Sequence, residues 1–126
     1  MRAVDTNVLV RLITLDDPRQ VASAESFAEA GAWVSILALA ETTWVLARGY
    51  AISAARIANI VEMLLNHKDL TLEDSDVVVA ALSLFRSRPA LDFSDCLMLE
   101  VARKAGHLPL GTFDRVLGKI DGAQKL

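Results

Sequence analysis

Glu41 is the residue of this chain whose position most demands a chemical explanation. On a helix its neighbours at i−4, i+3 and i+4 are Leu37, Trp44 and Val45, an apolar face. An ionised carboxylate on such a face is costly unless it gains an ion pair, a metal or a raised pKa. Pairing with Arg48 and a functional role account for Glu41 equally well at this point. Asp95 repeats the pattern, with Leu91, Met98, Leu99 and Ala102 on its side of a helix. Asp5 follows a short apolar run and Asp114 follows Gly111-Thr112-Phe113, and each alone reads as a helix cap. Asp92, three residues before Asp95, can share its side of the helix, although an acid facing the helix dipole is the simpler reading.

Taken together, acids at strand ends or on apolar helix faces suggest one shared site. If Asp5, Glu41, Asp95 and Asp114 converge, their donors are all oxygen. The chain has one cysteine, Cys96, and two histidines, His67 and His107, not at helical spacing from each other. Such a donor set selects a hard ion, Mg²⁺ or Mn²⁺, over zinc. Hard ions held by carboxylates suit phosphoryl chemistry, in which the ion lowers the pKa of water and offsets charge on phosphate oxygens. Hydrolysis then needs no protein nucleophile. Like charges gathered in a crevice repel, so neutralising Glu41 or Asp95 is expected to leave the metal-free fold as stable as before, or more so.

The elements that must position these acids are short strands alternating with helices. Residues 2 to 5 read as a first strand, with Thr6 and Asn7 at a helix start. Pro18 opens a helix to about Ala30, closed by Gly31. Ala32 to Val34 and Leu70 to Leu72 read as further strands. Ser35 caps a helix to about Arg48, and Ser53 caps another to about His67. Asp74 to Phe85 reads as a helix despite three consecutive valines, which favour strands. Asp92 to Ala105 forms a helix ended by Gly106, and Leu108 to Leu110 a last strand before Gly111. This alternation predicts an α/β/α sandwich with a short central parallel sheet, whose ligands bind beyond the carboxyl ends of the strands.

Composition constrains the rest. At 126 residues the chain is long enough for a single domain, 1–126, and too short for two ordinary ones. With 53% hydrophobic residues it is apolar for its size, so part of that surplus is expected at a partner surface. Acids interrupt every apolar stretch before membrane-spanning length, and the N-terminus lacks a signal-peptide pattern, so a cytoplasmic protein is expected. Cys96 has no partner for a disulfide and is expected to pack in the core. The net charge of −3 does not by itself announce nucleic-acid binding, but a metal site without its metal is locally acidic.

Four blocks carry a resemblance that covers nearly the whole chain. They are Val4-Asp5-Thr6-Asn7-Val8-Leu9, Ala40-Glu41-Thr42-Thr43-Trp44-Val45-Leu46 with Tyr50 after it, Asp92-Phe93-Ser94-Asp95, and Thr112-Phe113-Asp114. In order and spacing they resemble the PIN-domain ribonucleases, and among these the VapC-type toxins of bacterial toxin-antitoxin pairs. The resemblance implies that Asp5, Glu41, Asp95 and Asp114 form an acidic quartet that binds Mg²⁺ or Mn²⁺. It further implies that Asn7 and Thr112 support the quartet. The implied substrate is RNA, and the implied partners are a second copy of the chain and a cognate antitoxin whose segment can obstruct the site.

Asp92 has an accessory metal or water role as its alternative reading. His67 and His107 read as surface or capping residues. Trp33, Trp44, Phe27 and Phe85 read as core or dimer contacts. Arg86, Arg88, Arg103, Lys104, Arg115 and Lys119 are phosphate-contact candidates, with plain solvated charge as the stronger reading. One rival function is a haloacid-dehalogenase-like phosphatase, which also places an Asp at a strand end. Its Asp-x-Asp motif fails here at Asn7. A second rival is an interaction module whose acids bind a basic peptide without metal.

Overall fold

The computed structural model describes all residues, 1–126, and brings the termini of several helices to one edge of a parallel sheet. Strand β1 (Arg2–Ala3) is followed by helices α1 (Thr6–Thr14) and α2 (Pro18–Ala28), and then by β2 (Ala32–Val34). Helices α3 (Ile36–Gly49) and α4 (Ala54–Asn66) lead to β3 (Leu70–Leu72), and α5 (Ser75–Ser87) and α6 (Phe93–Ala105) follow. The three strands pair in parallel in the order β1-β2-β3, with Arg2 opposite Ala32, and Ala32 opposite Leu70. Val4 N–H extends the first ladder by bonding Trp33 O at 3.1 Å, so the extended chain reaches the residue before Asp5. This is the expected mixed α/β fold, with six helices and short parallel sheets.

Strands this short cannot hold a fold by backbone pairing alone. The core is a cluster of 25 buried residues in which Leu9, Leu39, Leu46, Val61, Leu64, Val78, Leu97 and Leu99 are at most 2% exposed. Each such side chain contributes roughly 1.5–3 kcal/mol on burial. Helix α5 packs along α6, α3 lies against both α1 and α6, and Phe85 meets Phe93 edge to face with ring centroids 5.5 Å apart. The valine run from Val77 is helical because Val77 and Val78 face this core while Val79 is exposed; burial outweighs the strand preference.

Local signals end the helices as anticipated. Asp5, Ser35 and Ser53 each accept a backbone N–H of the helix they precede, and so does Asp17, a cap the sequence did not announce. Gly106 closes α6 in the left-handed region, with φ of 82°.

Two features depart from expectation. The strand expected at Leu108 to Leu110 lies at Leu110–Thr112 (β4), and it belongs to a second, separate two-stranded parallel sheet. Its partner is β5 (Ala123–Lys125), reached through a 3-10 turn at Leu117–Lys119, neither of which the sequence announced. The reason is that β4 is defined by pairing: Leu110 N–H bonds Gly122 O and Leu126 N–H bonds Thr112 O, both at 2.8 Å. Ala-Gln-Lys has no alternation to reveal a strand.

Candidate active site

The four acids come from four different elements. Asp5 sits at the carboxyl end of β1 and caps α1, its Oδ1 accepting Val8 N–H at 3.0 Å. Glu41 lies in the second turn of α3, which follows the neighbouring strand β2, and Asp95 lies in the first turn of α6. Asp114 follows β4, and its Oδ1 accepts the N–H groups of Val116 at 2.9 Å and Leu117 at 2.8 Å. Thr112 Oγ1 accepts Asp114 N–H at 3.0 Å, so the hydroxyl and the carboxylate lock the same turn.

Glu41 corrects the sequence reading. It is exposed, and the apolar face assigned to it is not a core face: Leu37 is 77% and Trp44 52% exposed. The buried stripe of α3 is Ala38, Leu39, Thr42, Thr43 and Leu46. Because α3 is apolar on nearly every side, periodicity could not identify which stripe the core would select. Nor does Arg48 pair with Glu41; it binds Asp92 at 3.2 Å. Asp95 is half-buried, between the core residues Leu91 and Leu99 on one flank and Met98, 54% exposed, on the other.

None of the four acids has a basic partner, a property they share with Asp17, Glu25, Glu29, Asp69, Glu73 and Asp121, while Asp16, Glu62, Asp74, Asp76, Asp92 and Glu100 form salt bridges. Burial raises the pKa of the Asp95 carboxyl above the ordinary Asp value, and the charges of Asp92 and Asp114 raise it further. Asp92, Asp95 and Asp114 therefore form an electrostatic group on two elements distant in sequence. The Asp92 side chain makes no capping bond; its Oδ2 is held by Arg48.

The donors suit a hard cation: carboxylate oxygens, free of cationic partners, in a locally negative environment. As the side chains stand, no three His, Cys, Asp or Glu residues form a group that could hold a metal ion. Mg²⁺ commonly uses only one or two carboxylates with several waters, so a closed protein cage is not required.

Asp5 and Asn7 also line an open cleft of about 470 Å³ between α1 and α2, together with Arg11, Arg19, Gln20 and Phe27. The sequence reading missed this cleft, because the positions of Arg11 and Arg19 carry no motif. Arg11 is held there by hydrogen bonds to Gln20, to Asp16 at 3.1 Å and to Tyr50 at 3.4 Å. Tyr50 in turn donates to Asp16 at 3.2 Å, fastening the end of α3 to the loop after α1.

Cys96 is fully buried and its thiol is pushed up to about 12, chiefly by burial. His67 Nδ1 accepts Asp69 N–H at 3.1 Å, and His107 is exposed. Phe85 is core, while Phe27 is half-buried beneath the Arg2 guanidinium, which lies 3.8 Å from its ring centroid.

A three-stranded parallel sheet between helices, with Asp5 and Glu41 unpaired on elements that leave its carboxyl edge and Asp95 and Asp114 on elements outside that sheet, defines an α/β fold suited to cation-assisted chemistry. The family model for the PIN domain matches residues 2–123, and the chain belongs to the PIN-domain family. PIN domains are generally metal-dependent nucleases, and they typically use divalent ions such as Mg²⁺ or Mn²⁺. No curated protein and no solved structure matches the chain. No helix is long and apolar enough to cross a membrane.

Proposed function

We propose that this chain is a Mg²⁺- or Mn²⁺-dependent endoribonuclease, the toxin of a toxin-antitoxin pair, with Asp5, Glu41, Asp95 and Asp114 as its metal-binding acids. The observation that carries the reading is that Asp95, half-buried and without a basic partner, lies close enough to Asp92 and Asp114 for their charges to add to burial in raising its pKa. When bound, a divalent cation would supply an activated water and offset charge on the phosphate. The chain's own part would be to supply oxygen donors from four elements: Asp5 capping α1, Glu41 on α3, Asp95 on α6 and Asp114 after β4. The caps at Asp5 and Asp114 each engage Oδ1 and leave the second carboxylate oxygen without a protein partner. Asn7, Thr112 and Asp92 support these acids through position: Asn7 beside Asp5 in the cleft, Thr112 on the Asp114 turn, and Asp92 at the start of α6.

A partner surface is favoured by a separate observation. Large apolar side chains stand exposed beside the acids: Leu37 and Trp44 flank Glu41, Met98 is one turn from Asp95, and Phe113, 80% exposed, precedes Asp114. Exposed apolar groups around a charged site suit a protein segment that covers it, here a cognate antitoxin, and self-association into a homodimer.

The test is cleavage of RNA by the purified protein with Mg²⁺ or Mn²⁺ and with excess chelator. Metal-dependent products bearing 5′-phosphate and 3′-hydroxyl ends are expected. Equal cleavage in chelator, or 2′,3′-cyclic phosphate ends, would overturn the mechanism. Loss of metal-dependent cleavage in Asp5→Asn separates this reading from a metal-free interaction module, and inhibition by stoichiometric antitoxin tests the pairing.

A further inference from the structure

The structure sorts the basic residues. Arg86 reaches Asn59 at 3.2 Å and Glu62 at 3.4 Å, Arg103 reaches Glu100 at 3.1 Å, and Lys104 reaches Asp74 at 3.0 Å and Asp76 at 3.2 Å. These three are committed to acids of the same chain. Arg88, Arg115 and Lys119 make no salt bridge and no side-chain hydrogen bond, although they are separated by up to 31 positions in the sequence, and all line one cavity of about 420 Å³ with Val116 and Ile120. No acid lines that cavity.

We infer that this cavity binds the phosphodiester backbone of single-stranded RNA next to Asp114, with Arg88, Arg115 and Lys119 as the phosphate contacts. The inference rests on the nuclease reading for its ligand and on geometry for its place. Three cations facing one cavity repel one another, and an anion relieves that repulsion where no protein acid does. Guanidinium groups suit phosphate because they can donate two parallel hydrogen bonds to it, and the ammonium of Lys119 adds a point charge. The cavity adjoins the candidate acid through the backbone. Asp114 Oδ1 takes the N–H groups of Val116 and Leu117, so the turn that fixes this carboxylate also presents Arg115, Val116 and Lys119 to the cavity. Arg88 comes from the other side, at the C-terminus of α5. A chain with net charge −3 thus carries a local cationic site beside its acids.

The experiment is fluorescence anisotropy with a short labelled oligouridylate, in excess chelator so that no metal-dependent cleavage occurs, across a salt series. Each phosphate contact on a single strand contributes a slope of about −0.7 in log affinity against log salt. Arg88→Gln, Arg115→Gln and Lys119→Gln should each flatten the slope by about 0.7 and weaken low-salt binding by roughly three- to tenfold. Arg86→Gln and Lys104→Gln, which remove committed cations, should leave the slope unchanged. Arg88→Lys and Arg115→Lys should retain the parental slope, which separates lost charge from a damaged fold. An unchanged slope in all three Gln variants, or no binding by the parent, overturns the inference. If the parent binds with the expected slopes but never cleaves RNA with Mg²⁺ or Mn²⁺, the nuclease reading fails and the phosphate site stands.

Discussion

Arg48 Nη2 lies 3.2 Å from Asp92 Oδ2, and this ion pair ties the last turn of α3 to the residue that opens α6. The side chains are 59% and 46% exposed, so the pair contributes only about 0.2–1 kcal/mol. Its electrostatic effect is more specific. It partly neutralises Asp92, whose charge is a cause of the raised pKa of Asp95, and it leaves Glu41 without a counter-charge. Arg48→Gln should therefore cost less than about 1 kcal/mol in denaturant unfolding. The same variant should raise the Asp95 pKa further in an NMR titration of the carboxyl carbon, and a fall would contradict this account.

Removing a candidate ligand should abolish cleavage and leave folding intact. Glu41→Gln and Asp95→Asn are expected to lose more than about 100-fold in RNA cleavage, beyond the loss typical of groups that only support a metal ligand. In chelator, Glu41→Gln should change stability by less than about 0.5 kcal/mol, because the side chain is exposed. Asp95→Asn should raise the melting temperature at neutral pH. The sign follows from linkage: the folded-state pKa of Asp95 lies above its unfolded value, so the folded state binds this proton more tightly. That preference is lost as pH rises through the unfolded value toward the folded one. The advantage of Asn over the parent should accordingly be complete above the raised pKa and vanish below the ordinary Asp range. Thermal unfolding of both proteins across acid and neutral pH measures it.

Divalent cation should stabilise the parent selectively. A ligand that binds only the folded state adds about 2.7 kcal/mol at a concentration 100 times its Kd. The Mg²⁺-induced shift in melting temperature should be largest for the parent and smaller for Glu41→Gln and Asp95→Asn. Equal shifts in all three proteins would place the ion elsewhere.

Gly122 governs the second sheet. Its φ is +95°, and a Cβ there would meet Arg103 Nη2 at 2.8 Å, from a guanidinium that donates to Asp121 O at 2.7 Å. Gly122→Ala should destabilise the fold by more than about 1 kcal/mol, since alanine is strained at positive φ. The loss should appear first as faster hydrogen exchange at Leu110 and Leu126, whose N–H groups bond across β4 and β5.

Leu37 is exposed beside Glu41, so Leu37→Gln should change monomer stability by less than about 0.5 kcal/mol. If this face is covered by a partner, the same substitution should weaken self-association or antitoxin binding in light scattering and titration calorimetry. Unchanged affinity for both would remove Leu37 from any interface.

Local chemistry in the sequence determined a large part of this protein. Asp5, Ser35 and Ser53 are acceptors placed one residue before helical runs, and Gly106 supplies a left-handed stop, so helix boundaries followed from groups that interact within a few residues of one another. The four conspicuous acids, and the resemblance their blocks carry, were legible for the same reason: residue type and spacing are written in the chain. Tertiary structure alone decided the rest. It selected Ala38, Leu39, Thr42, Thr43 and Leu46 as the buried stripe of α3 and left Glu41 outside, because a helix apolar on most sides takes its orientation from its neighbours. It paired Leu110 with Ala123 and so made a strand of a segment with no strand pattern. It also gave Arg48 to Asp92 and left Arg88, Arg115 and Lys119 without acids, because an ion pair depends on separations in space that no local pattern encodes.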